Sequence, residues 1–143
     1  MFLLICLASG SVWGLIGAYM ISDGRFIPAV LVAAALSPGI GIIMGLAAKR
    51  AASLHWVGRC AYSLAALFVA TGLFGIILGA QPTTDASADM SPLVRAGSTV
   101  VFIWWGMMLG GDVLWLWPLS LLNHIVLWNW LTRPRSAVHS VSN

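Results

Sequence analysis

Charge is what this sequence has least of. Only 8% of its 143 residues are Asp, Glu, Lys or Arg, whereas 60% are hydrophobic. A soluble domain carries roughly 25% charged residues, and with so few this chain cannot clothe a water-exposed surface. The solvent that suits it is lipid. Cysteine is scarce as well. Cys6 and Cys60 are the only two, both in or beside apolar runs, so they read as small hydrophobes and not as a disulfide framework or a zinc site. Nucleophile motifs, a Gly-rich phosphate loop, HExxH and CxxC are all missing. That leaves nothing on which to base an enzyme. The net charge of +3 does not signal nucleic acid, because the basic residues form no stripe. They stand at the ends of apolar runs, where membrane topology puts them.

What is present is a series of long apolar segments. A bilayer core of about 30 Å takes about 20 helical residues. Segments 2–21, 26–48 and 60–80 each fit, and 93–131 is too long for one span. The first run has no Lys or Arg before it and no clear small-residue cleavage site after Tyr19, so it is expected to be a retained helix and not a secretory signal. The joins are short: Ser22-Asp23-Gly24-Arg25, then 49–59, then the polar stretch 81–92. The expected fold is an all-α integral membrane protein, a compact bundle of about four transmembrane helices. Residues 1–131 form the single transmembrane domain and 132–143 a cytoplasmic tail.

The last segment divides in one of two ways. In the four-span version the fourth helix covers 97–117, and 118–131 bends at Pro118 to lie in the interface. Lys49, Arg50 and Arg59 of the second join then share a side with Arg133 and Arg135 of the tail, so five basic residues face two, Arg25 and Arg95. That side is the cytoplasm by the positive-inside rule. In the five-span version the chain splits at Gly110-Gly111-Asp112, and the bias vanishes at three against four. The pairs Trp115/Trp117 and Trp128/Trp130 bracket a short apolar stretch, as two aromatic belts would. Against a surface helix, Ser120, Asn123, His124 and Asn129 do not gather on one face. The charge count favours four spans, with both termini cytoplasmic in what is expected to be a bacterial inner membrane.

Helices in lipid associate through close contact of small residues. Each span carries two glycines four apart, hence on one face: Gly10 and Gly14, Gly41 and Gly45, Gly75 and Gly79, Gly106 and Gly110. These notches serve either the bundle itself or partner helices. Gly-Ile-Ile-Met-Gly at 41–45 matches Gly-Ile-Ile-Leu-Gly at 75–79, but five residues of a low-complexity alphabet do not establish a repeat.

Polar groups in lipid are costly, so each is a functional candidate. The first three spans have no charged residue in their middles, which argues against an ion-coupled carrier. Asp112 is the one acidic residue in an apolar segment. In the four-span version it lies 15 residues past Gly97, about 22 Å along, near the cytoplasmic edge. There it pairs with Lys49, Arg50 or Arg59, or is solvated. Ser37-Pro38-Gly39 is expected to kink the second span, with a liganding role for the freed carbonyls as the alternative. His124 is the one histidine in an apolar stretch. It is an interfacial side chain or a ligand to a haem or other tetrapyrrole, for which His55 and His139 are poor second ligands by position. Cys60, Tyr62 and His55 are close in sequence but are not in themselves a catalytic set.

With no soluble domain, no midplane charge, repeated notches and eight Trp, the leading expectation is an accessory or assembly subunit of a larger membrane complex, partnered by lipids and other membrane proteins. The alternatives are a small carrier or channel, with a path from Ser37-Pro38 to Asp112, and a binder of haem, quinone or pigment through His124.

Overall fold

The structure, a computed structural model, describes residues 1–22, 28–82 and 89–132. Asp23, Arg25, Asp85, Arg133, Arg135 and His139 lie outside them. Five helices follow in order: α1 Phe2–Ser22, α2 Pro28–Ala51, α3 Trp56–Gly79, α4 Pro92–Leu109 and α5 Val113–Thr132. Among the described residues there is no strand. The first four helices are long and apolar enough to cross a membrane.

Helix limits follow local chemistry. Pro28 and Pro92 open α2 and α4, where the missing N–H has no intrahelical partner to lose. Ser91 caps α4 by accepting from the Val94 amide at 3.3 Å. Lys49 and Arg50 close α2 next to its carbonyl end. The helix continues through Pro38, and Ser37 donates its hydroxyl to the Ala33 carbonyl at 2.9 Å on the turn before.

Antiparallel α1 and α2 form the tightest contact. A methyl group added at Gly41 would lie 2.7 Å from the Gly10 Cα, and one at Gly10 would lie 2.9 Å from the Cα atoms of Gly41 and Pro38. One turn either way, Gly14 faces Ser37 and Gly45 faces Cys6. Close approach at Gly10 and Gly41 requires glycine, because a Cβ at either would strike backbone, whereas at Gly14 and Gly45 it would strike the Ser37 and Cys6 side chains. Helices α3 and α4 repeat the arrangement: Gly79 meets the Arg95 carbonyl and the Ala96 Cα at 2.7 and 2.8 Å, and Gly75 meets Val100 and Ile103. Gly106 has open space where a Cβ would be, and Gly110 meets only Gly106 of its own helix and Asp112. Three of the four glycine pairs therefore sit inside the bundle.

The last segment is neither a helix over 97–117 nor a separate surface helix over 118–131. Helix α4 stops at Leu109, and Gly111, at φ 73°, takes the left-handed conformation that glycine favours and ends the run. Pro118 falls inside α5 and does not mark its start. Both helices run antiparallel to α3. Helix α4 covers the later half of α3, from Gly79 by Arg95 to Leu67 by Met107. Helix α5 covers the earlier half, from Leu67 by Leu116 through Ser63 by Ser120. It ends where Trp128 donates to the Ala48 carbonyl at 2.9 Å and Trp130 stacks on Phe2 at 6.3 Å. Helices α4 and α5 therefore lie one after the other along α3, although at 18 and 20 residues each is longer than half of the 24-residue α3. The step between them lies level with Leu67, halfway along the roughly 36 Å of α3. The end of α5 emerges beside the basic turn between α2 and α3.

Candidate functional site

Leu116, Ser120, His124, Leu127 and Trp128 of α5 are buried. Its polar residues do not gather on one face because the helix has two polar neighbours. Asn123 turns to α1 and accepts from the Ser9 hydroxyl at 3.1 Å. Ser120 and His124 turn to α3, where Ser63 is fully buried.

His124, 5% exposed, is held on several sides. Its Nδ1 lies 2.7 Å from the Ser120 carbonyl one turn back and 3.2 Å from the Ser63 hydroxyl. Ser120 in turn donates to the Ser63 carbonyl at 3.2 Å. Tyr62 meets the imidazole edge-on with ring centres 5.2 Å apart, and Trp128 lies at 5.6 Å. A carbonyl oxygen only accepts, so the contact to Ser120 puts the proton on Nδ1 and leaves Nε2 with its lone pair. No protein group among the described residues bonds Nε2. No described buried side-chain nitrogen or oxygen sealed from solvent lacks a partner, so Nε2 is open to a neighbouring space.

That space is a cavity of about 520 Å³. It is a partly open cleft lined by residues of α1, α2, α3, α4 and α5, and its walls are mostly apolar: Ile5, Trp13, Ile40, Phe74, Ile103 and Leu127 contribute. Ser37, Thr71 and Thr99 reach it but give their hydroxyl protons to carbonyls of their own helices, and Ser120 gives its proton to the Ser63 carbonyl. The polar groups left are Ser9, Asn123, His124 and Asp112. The volume falls in the roughly 300–1,000 Å³ range of small-molecule sites.

Asp112 stands at the step between α4 and α5, and none of Lys49, Arg50 and Arg59 reaches it. Its carboxylate accepts from the Trp115 indole at 3.3 Å. Lys49 lies 4.2 Å over the Phe2 ring, and Arg59 binds the Leu54 and Ala52 carbonyls beneath Trp128. Pro38 lies against Gly10, and Ser37 beside it faces the same cavity as Asp112 and His124. Cys60, Tyr62 and His55 do not converge. The Cys60 carbonyl accepts from Trp117, the Tyr62 hydroxyl donates to the Met44 carbonyl at 2.9 Å, and His55 is exposed ahead of α3. Among the described residues no three His, Cys, Asp or Glu gather to hold a metal.

Ser63, Ser120 and Ser9 were not legible as part of a site. A lone serine in an apolar run most often bonds its own helix, as Ser11 does with the Leu7 carbonyl. The available signal was Ser120 one turn ahead of His124, which puts both on one face. Compared with known protein families, with curated proteins and with solved structures, the chain matches none.

Proposed function

We propose that this protein binds a small hydrophobic molecule inside the bilayer. The observation that carries the reading is the unshared Nε2 of His124, held in one tautomer by Ser120 and opening on an apolar cavity of about 520 Å³. An acceptor that opens on apolar walls is free to take a hydrogen bond, and a ligand that donates to it there gains that bond. On this reading the cavity lies in a cell membrane, for which we favour a bacterial inner membrane. The Lys49, Arg50 and Arg59 turn then faces the cytoplasm. The test is purification in mild detergent from the native membrane, solvent extraction and mass spectrometry. A stoichiometric small molecule is expected from the wild-type protein and absent from His124→Ala. A protein that yields none in either form refutes the reading.

Helix α4 favours a second reading, the accessory or assembly subunit. Its outer face carries Leu93, Trp105 and Leu109, each at least 60% exposed, and Gly97 has open space around it. Such a face suits a partner helix as well as lipid. Co-purification of a stoichiometric membrane partner that Gly97→Leu displaces supports this role, and isolation of the protein alone counts against it.

A further inference from the structure

The chemistry lining the cavity narrows the ligand. We propose that the molecule held there is an uncharged amphiphile whose hydroxyl group donates to His124 Nε2, an inference that rests on the cavity being a binding site at all.

Three features of the site point to that class. The first is the direction of the hydrogen bond. With the proton on Nδ1 engaged by Ser120, Nε2 can only accept, so the ligand must donate. A ligand that offers only carbonyl oxygens, such as an oxidised quinone, would set two acceptors face to face. The reduced quinol, a long-chain alcohol or a sterol presents an O–H instead. The second is charge. Among the described residues, no Lys or Arg lines the cavity; its ionisable groups besides His124 are the Cys6 thiol and the acidic Asp112. Carboxylates or phosphates on a ligand would therefore enter an apolar space without a counter-charge, which is strongly unfavourable. That excludes fatty acids, lipid phosphates and tetrapyrroles bearing ionised propionates. The third is the apolar wall. Ile5, Ile40, Phe74 and Leu127 suit a hydrocarbon body, and Ser9 and Asn123 stand near the polar end beside His124.

The same ring is firmly placed. Ser63, Ser120, Tyr62 and Trp128 surround it, so Nε2 is preorganised and does not have to be reoriented on binding. His124 is on this view the polar anchor, and the cavity supplies the contact area.

Three probes of one carbon skeleton separate the possibilities: farnesol, farnesyl methyl ether and farnesoic acid. Each is measured as radiolabelled probe retained by nanodiscs holding the full chain, over empty nanodiscs of the same lipid. The alcohol should be retained with at least about tenfold higher affinity than the ether, the scale of one buried hydrogen bond to an otherwise unpaired acceptor. The acid should bind no better than the ether. In His124→Phe the alcohol should fall to the level of the ether, and His124→Gln, whose amide oxygen also accepts, should restore part of the gap. Equal retention of alcohol and ether by the wild-type protein overturns the hydroxyl assignment and leaves the binding cavity standing. Preference for the acid also overturns it, in favour of an anionic ligand on a charged imidazole. If no probe is retained over empty nanodiscs and no ligand co-purifies, the cavity reading falls and takes this inference with it. The alcohol-to-ether comparison is made on the wild-type protein, so misfolding of a variant cannot obscure the result.

Discussion

Replacing Gly41 by Ala isolates what holds α1 on α2. The new methyl would stand 2.7 Å from both the Cα and the amide nitrogen of Gly10, and nearer still to the Cys6 carbonyl. All three are backbone atoms, so no side chain can rotate away. Ordinary contact begins near 3.4 Å, and the two helices must part by more than about 0.7 Å at the crossing. A gap of 0.5–1 Å forfeits roughly a quarter to a half of each dispersion contact, and these are the contacts that hold helices together in lipid. Overpacking of this kind costs about 1–3 kcal/mol. The better helix propensity of Ala returns up to about 1 kcal/mol. The expected net loss is about 1–2 kcal/mol, read as a shift in reversible unfolding by sodium dodecyl sulfate in mixed micelles. Gly97→Ala is the control. It has the same chemistry and open space around the new Cβ, and should be neutral or slightly stabilising. If Gly41→Ala and Gly97→Ala unfold alike, α1 and α2 do not meet at Gly10 and Gly41, and the packing described above is wrong.

Trp128→Phe keeps a ring beside His124 and Arg59 but removes the indole donor to the Ala48 carbonyl. It should lower stability by about 1–2 kcal/mol in the same unfolding assay, the usual scale for a buried hydrogen bond. Arg95 donates to the Gly79, Gln81 and Met90 carbonyls and so closes the end of α3. Arg95→Met should speed amide hydrogen exchange at Gly79–Gln81 and leave α1 unchanged. Cysteines introduced at Ser53 and Met90 should be labelled by a membrane-impermeant maleimide from opposite faces of oriented vesicles. One at Trp130 should share the face of Ser53, because Trp128 on the same turn of α5 donates to the Ala48 carbonyl at the end of α2.

The membrane class is legible because composition alone decides it: no soluble surface can be made with so few charges. The glycine pairs of the first three helices are legible because spacing by four places both on one face. Which helix each pair meets depends on tertiary packing, so the contact of Gly10 with Gly41 had to be seen. The Gly110-Gly111 break is where the five-helix version puts it, and the end of α5 lies beside the turn that carries Lys49, Arg50 and Arg59. That α4 and α5 lie one after the other along α3 is an arrangement that window length cannot express. His124 was visible as an oddity in an apolar run. Its environment was not, because Ser63 lies 61 residues away in sequence and reaches the ring only through the packing of α3 on α5.

The most direct test is the protonation pattern of the His124 ring. Protein labelled with ¹⁵N-histidine is placed in lipid bilayers and examined by solid-state NMR, with His124→Ala used to assign the signal. The structure predicts a neutral ring with its proton on Nδ1, and an Nε2 resonance that shifts when a lipid extract of the native membrane is added. A proton on Nε2, or an Nε2 signal indifferent to every lipid fraction, would contradict the open acceptor on which the proposed function stands.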